Sequence, residues 1–302
     1  MSRANLWLTM MSAVLMLFTA FAVSPAIAQQ TPSAAEKELH AAAEAAFKSM
    51  RPGPAEIRLR DQAVLRLPAG YAFIDSAYAR RLLHAMGNSS DGQFAGMVVD
   101  AQQPLDGWFV TIDYEASGYV KDDDARSWKA DDLLASLREG TAAGNKDRRA
   151  RGFPELEIVG WVQRPTYDAR THRLVWSAET RHKGAASDDR GVNYNTYALG
   201  REGYFALNLV TDLTMVESLK PRAGELLAAL AYQPGKRYED FNPATDRVAE
   251  YGLAALVAGT AAKKLGLFAL IGALLAKFWK IGALAVVALG AGAFKFFGSR
   301  SH

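Results

Sequence analysis

The sequence predicts an α+β domain built on a mainly antiparallel sheet, with helices inserted between strands. Three observations carry that expectation. Several short segments alternate apolar and polar residues and are separated by turns short enough for hairpins, as at 56–60 and 63–67. Other segments space their apolar residues as a helix does, among them Leu133, Leu134 and Leu137. Strands and helices do not alternate in the βαβ rhythm that a parallel sheet needs.

Taken in order, the first hairpin turns at Asp61-Gln62, has Ile57, Leu59, Val64 and Leu65 as candidates for burial, and ends at Pro68. Residues 72–86 read as a helix closed by Gly87-Asn88. Strands follow at 93–100 and 107–114 around a loop with Pro104, and Trp108, Val110 and Ile112 share one face. Asp131-Asp132 opens the Leu133 helix, because carboxylates complement the positive end of the helix dipole, and Gly152-Phe-Pro154 stops it. The clearest strand pair is 156–163 with 172–178, turned by 165–170. A second pair, 193–199 with 203–212, turns at Gly200-Arg-Glu202, and 185–190 reads as an exposed loop. A helix over 222–232 puts Leu226, Leu227 and Leu230 on one face, and 234–246 reads as a polar linker.

The two ends speak about compartment. Arg3, an uncharged apolar run from Leu6 to Ala22, and Ala26-Ile27-Ala28 match a secretory signal, so residues 1–28 are expected to be removed on export, the alternative being a retained anchor. Residues 29–52, rich in Ala and Glu, read as a spacer, and 53–246 as the exported domain. Residues 247–302 read as a membrane-associated tail. Its uncharged runs, Leu265 to Ala276 and Ile281 to Phe294, each fall short of the ~20 residues a helix needs to span a bilayer. A single span at about 278–297 fits best, with Lys277, Trp279, Lys280 and Lys295 at the interfaces and 251–276 lying on the membrane face. A span centred nearer 267–285 would bury lysines, which is costly.

Composition excludes several classes of function. The 302-residue chain has no cysteine, so disulfides, thiolate catalysis and cysteine-bound metals are ruled out. A net charge of +3 gives no reason to expect nucleic-acid binding. No Gly-x-Ser-x-Gly elbow, phosphate loop or dinucleotide fingerprint occurs, and His40, His84, His172, His182 and His302 show no i,i+4 metal spacing. No cofactor is therefore expected. The strongest acidic cluster is Asp122, Asp123 and Asp124, with Asp113 and Glu115 nearby. Its oxygens suit Ca²⁺ or Mg²⁺, or a general acid–base pair, but the spacing does not match an EF-hand loop, Lys121 and Arg126 flank the run, and a solvated turn ahead of a helix is the commoner outcome. Trp108, Trp128, Trp161 and Trp176 suit ligand stacking, although at strand positions such rings more often fill a core. Arg148, Arg149 and Arg151 form a basic knot that suits lipid phosphate, an acidic partner or simply a helix end.

Several longer stretches keep a distinctive order. They are Leu65-Arg-Leu-Pro-Ala-Gly-Tyr71, Ser117-Gly-Tyr-Val-Lys-Asp-Asp-Asp-Ala125, Ala130-Asp-Asp-Leu-Leu-Ala-Ser-Leu-Arg-Glu-Gly-Thr141 and Gly152-Phe-Pro-Glu-Leu-Glu-Ile-Val-Gly-Trp161. Thr171-His-Arg-Leu-Val-Trp-Ser177, Tyr194-Asn-Thr-Tyr-Ala-Leu-Gly200 and Pro234-Gly-Lys-Arg-Tyr-Glu-Asp-Phe241 follow. From roughly Gly53 to the tail, this order resembles the DUF2167 family of bacterial membrane-anchored proteins, which has no assigned activity. The resemblance implies a bacterial inner-membrane protein with its main domain in the periplasm. The expected role is a non-enzymatic interaction module that meets the lipid bilayer through its tail and an envelope protein through its domain. A carboxylate-dependent envelope hydrolase or transferase is the rival. A third possibility is a helical oligomer of the tail, where Ala254, Ala258 and Ala262, then Ala288 and Gly292, give small-residue spacing.

Overall fold

The computed structural model describes residues 34–86, 93–150, 154–185 and 190–258. An eight-stranded sheet forms its centre, made of β1 (Arg51–Pro52), β4 (Tyr71–Asp75), β5 (Phe94–Asp100), β6 (Trp108–Glu115), β7 (Leu156–Asp168), β8 (Arg173–His182), β9 (Arg190–Leu199) and β10 (Tyr204–Asp212). Every neighbouring pair in the order β1-β4-β5-β6-β10-β9-β8-β7 is antiparallel. A small sheet, β11-β3-β2, joins β2 (Ala55–Leu59), β3 (Ala63–Leu67) and β11 (Leu230–Tyr232). The helices are α1 (Ala34–Lys48), α2 (Ser76–Ala85), α3 (Ala130–Ala150), α4 (Val216–Ala229) and α5 (Leu253–Ala258). The fold is α+β, as the sequence predicts.

Both faces of the main sheet are covered. On one face, α4 and the small sheet pack over Tyr71, Phe73, Val110, Ile112, Phe205 and Leu207. On the other, α1 and α2 bury Ala72, Ile74, Met97 and Val99, while α3 and α5 cover Leu174, Trp176, Tyr197 and Tyr204. This layering explains why the sequence misplaces one strand. Tyr71 and Phe73 enter the first layer while Ala72 and Ile74 enter the second, so β4 loses the polar alternation that marks a one-sided strand. Fused to α2, it reads as part of one helix over 72–86; the helix itself begins only at Ser76.

Other differences have similar causes. Helix α4 starts at Val216 and carries Pro221 inside it, and the last residues of the expected helix, 230–232, form β11 instead. Strand β7 runs on through Pro165, tolerated because β7 is the sheet's edge. Helix α1 lies in the stretch read as a spacer, yet Ala42 and Ala46 are fully buried against α2. Val64 is only half-buried, and Leu67 takes its place in the core. The segment after Asp246 stays on the domain: Leu253, Leu256 and Val257 are buried with α3 and β8. Residues 251–258 of the stretch expected on a membrane face therefore pack on the domain, where burying three aliphatic side chains is worth roughly 1.5–3 kcal/mol each, and 259–276 lie outside the described residues.

Candidate functional site

The acidic run lies beyond the end of β6, where the chain passes Tyr119 and enters a 3-10 turn at Asp123–Arg126. Its three carboxylates have three different fates. Asp123 is exposed. Asp124 reaches across to α5 and accepts the backbone N–H groups of Leu253 at 3.1 Å and Ala254 at 2.9 Å. These are two of the orphan donors that any helix start presents, so Asp124 acts as a remote cap. A Cβ at Gly252 would stand 2.6 Å from Asp124 Oδ2, so the glycine lets the carboxylate come this close without shifting.

Asp122 belongs to a mixed cluster. The Tyr167 hydroxyl donates to Asp122 Oδ2 at 2.8 Å and lies 3.1 Å from His172 Nδ1. Since the phenol gives its one proton to the carboxylate, its oxygen is left to accept the Nδ1–H of the imidazole. His172 Nδ1 and Asp122 Oδ2 are 3.9 Å apart, and the two side chains are 24 % and 27 % exposed. His172 has φ +50°, a left-handed conformation that histidine adopts more readily than most residues. The preceding turn holds it there, with Asp168 accepting from Arg170 N at 3.0 Å and from the Thr171 hydroxyl at 3.0 Å.

The imidazole caps a column of rings. His172 stacks on Tyr238 with centroids 4.0 Å apart, Tyr238 on Tyr119 at 4.3 Å, and Tyr119 on Phe241 at 3.8 Å. Burial and the bond to Asp122 push the Tyr167 phenol above the ordinary tyrosine range, and burial together with Tyr119 does the same to Tyr238. Both phenols therefore remain protonated donors. Tyr238 donates to the Val120 carbonyl at 2.9 Å.

The same corner fastens the C-terminal segment. Tyr119 and Val248 form a parallel bridge, with Tyr119 N–H donating to Arg247 O at 2.8 Å and Ala249 N–H to Tyr119 O at 2.9 Å. Gly118, at φ +89°, permits this approach, because a Cβ would lie 2.6 Å from Arg247 O. The Arg247 guanidinium donates to Ala116 O. Arg201, in the β9–β10 turn, grips Asp246 through two bonds of 2.6 and 2.8 Å, which holds that carboxyl well below the usual carboxylate range. Residues 234–246 are thus part of the fold rather than a loose linker.

The remaining candidates separate from this corner. Asp113 pairs across the sheet with Ala206 and Phe94, and Glu115 with Tyr204. Their charge acts on Tyr197 and Tyr204, whereas that of Asp122 acts on Tyr119, Tyr167 and Tyr238. Among the described residues, no group of three or more His, Asp or Glu side chains is arranged to hold a metal ion. Of the four tryptophans, Trp108 is buried under α4 and Trp176 under α3 and α5, while Trp128 and Trp161 are partly buried against the latter cluster, Trp161 meeting Trp176 edge-on at 6.0 Å. Of the basic knot, Arg148 is buried and donates to Pro154 O at 2.7 Å, and Arg149 is bound to Glu155. Arg151 lies outside the described residues, as do the predicted signal over 1–28 and the interface set Lys277, Trp279, Lys280 and Lys295. Among the described residues, no helix is long and apolar enough to cross a membrane.

Sequence reasoning passed over Tyr119, Tyr167, Tyr238 and Phe241. Tyr167 falls in what reads as a turn, and Tyr238 and Phe241 in what reads as a linker. The usable signal was the aromatic content of stretches otherwise polar.

Residues 51–290 match the family model described as a protein of unknown function, DUF2167. The chain belongs to the DUF2167 family. No curated protein matches it. Among solved structures, this DUF2167 chain is similar to cyanobacterial PsbP from Synechocystis sp. PCC 6803, at 9% identity over 59% of this chain and 92% of that one, with a TM-score of 0.36. It is also similar to the yeast Ran-binding protein Mog1p from Saccharomyces cerevisiae, at 13% identity over 61% and 96%, with a TM-score of 0.30. A third is PA94 from Pseudomonas aeruginosa, described as a putative regulator of unknown function, at 10% identity over 60% and 97% with a TM-score of 0.24.

Proposed function

We propose that this DUF2167 protein is a membrane-anchored interaction module of the bacterial envelope. In this reading residues 1–28 direct export, the α+β domain faces the periplasm, and the tail crosses the inner membrane once near 278–297. The observation that carries the reading is the way α5 is joined to the domain. Asp124 caps its first turn, Arg247 and Val248 are tied to Ala116 and Tyr119, and Leu253, Leu256 and Val257 are buried. A segment held at so many points has no free joint, so an anchor that follows it would fix the face the domain turns as well as its location. The Asp122–Tyr167–His172 corner and its aromatic column stand at the root of that segment. They supply hydrogen-bonding groups beside flat apolar rings, a composition suited to contact with another envelope protein.

The rival, a carboxylate-based hydrolase or transferase, needs two acids turned toward one substrate. Asp124 instead commits both oxygens to α5, and Asp122 commits one to Tyr167. Crosslinking in native membranes, followed by purification of the full chain and of a chain ending at Ala258, tests the proposal. The expected result is a protein partner captured by the full chain and lost from the shortened one. A full chain that is recovered alone, or that fractionates away from membranes, would sink it.

A further inference from the structure

A cleft of about 510 Å³ opens beside the edge of the main sheet, where α3 runs along the first residues of β7. Arg138, Ala142, Asn145 and Arg149 form its helix wall; recurring every three or four residues, they share one face of α3. The strand wall is 155–158, and Lys183, just past β8, stands beside Glu155. A bare sheet edge invites another strand, but α3 already meets this one. Asn145 exchanges bonds of 2.8 and 2.9 Å with the Leu156 backbone, and the Arg138 guanidinium donates to Ile158 O at 3.1 Å and to Val159 O. With those backbone groups taken, recognition of a chain lying in the cleft falls to side chains. Their charges form two cationic poles. Both acceptors of Arg138 are neutral carbonyls, so its charge is not spent on a carboxylate. Arg149 and Lys183 share one carboxylate, that of Glu155, which leaves one positive charge over. Glu157 is matched by Arg181. The helix wall between the poles, Ala142 and Asn145, is uncharged.

We propose that this cleft binds an extended acidic peptide segment of a partner protein, with two carboxylates four residues apart, one at Arg138 and the other at Arg149 and Lys183. The spacing comes from the strand wall. Arg138 is bonded at Ile158 and Val159 and the other pair at Glu155, three to four residues away, or about 10–13 Å along an extended chain. Side chains of such a chain alternate, so positions i and i+4 of a ligand project to the same side at that distance. A single phosphate or carboxylate reaches only one pole, and a basic segment is repelled at both. Glu155 already shows how a carboxylate sits at the second pole: Arg149, and then Lys183, hold its carboxyl below the usual range. A guanidinium carries five N–H donors and an ammonium three, so a second carboxylate can share this pair. The surface is separate from the Asp122 corner, and the inference does not depend on the membrane reading.

The test uses the full chain in a zwitterionic detergent and a rhodamine-labelled, C-terminally amidated peptide, Glu-Ser-Thr-Ser-Glu, followed by fluorescence anisotropy. Lys-Ser-Thr-Ser-Lys is the control peptide. Ala142→Glu places a negative charge between the poles, and Lys183→Gln removes part of one; both positions are exposed, so both variants should melt with the wild type. The expected result is saturable binding of the acidic peptide to the wild type, weakened about tenfold or more by Ala142→Glu and about threefold or more by Lys183→Gln. Binding should also weaken as salt rises from about 50 to 300 mM. If Ala142→Glu melts more than about 4 °C below the wild type, Lys183→Gln decides alone. No saturable binding at up to about 0.5 mM protein, or equal binding to the wild type and the deciding variant, overturns the proposal. So does equal binding of the basic peptide, or displacement of the acidic peptide by inorganic phosphate at equal concentration, which would mark a site for a small anion.

Discussion

Replacing Asp124 by alanine strips α5 of its remote cap, and the structure sets the size of the effect. Two backbone N–H groups, of Leu253 and Ala254, lose their acceptor. Loss of an ordinary cap costs about 1 kcal/mol, and a charged acceptor strengthens each bond, which places this change near 2 kcal/mol. For a domain of this size that corresponds to a fall of roughly 4–8 °C in melting temperature. A helix of 6 residues has no stability of its own, so the loss should appear first as local opening of α5. Amide exchange at Leu253 and Ala254 should accelerate by about 30-fold, measured on the full chain by hydrogen exchange with mass spectrometry. Asp124→Asn keeps one acceptor and should fall between. The exposed neighbour supplies the control: Asp123→Ala should change stability by less than about 0.5 kcal/mol. If Asp124→Ala melts with the wild type and its α5 amides exchange no faster, the join described above does not hold the segment.

Two predictions concern pH. Tyr167, Tyr197, Tyr204 and Tyr238 have phenols raised above the ordinary value of 10.0, in each case chiefly by burial. The unfolded chain therefore gives up these protons first, and their contribution is complete below pH 10 and lost as pH rises above it. Urea midpoints should fall from about pH 10 upward, and tyrosinate absorbance should appear together with unfolding; absorbance that saturates in a folded protein would refute this. Asp246 has the opposite sign. Arg201 and the Asn242 N–H depress its carboxyl from 3.8, so its contribution is present above that value and lost as pH falls. Arg201→Lys keeps the charge but loses the two-pronged grip, and acid unfolding followed by circular dichroism should begin at a higher pH. An unchanged acid midpoint would show that the second bond contributes nothing.

The sequence by itself determined the fold class and most strand positions. Alternation over 56–60 and 63–67 and the turns at Asp61-Gln62 and Gly200-Arg-Glu202 depend on neighbours along the chain, and those are printed in the sequence. It also determined the absence of thiol chemistry and the family. Where a segment is buried on both faces, as in β4, the local pattern no longer distinguishes strand from helix, and the reading failed. Only the tertiary structure decided what the polar residues do. Asp122 and Asp124 are two positions apart, yet one meets a phenol 45 residues away and the other a helix start 129 residues away. Thr111, Asn208 and Asn195 stand side by side across the sheet only because β6, β10 and β9 become neighbours. Local periodicity reports which face of an element is apolar, but the partner of a carboxylate or an amide is chosen by long-range packing, which no short window of sequence contains.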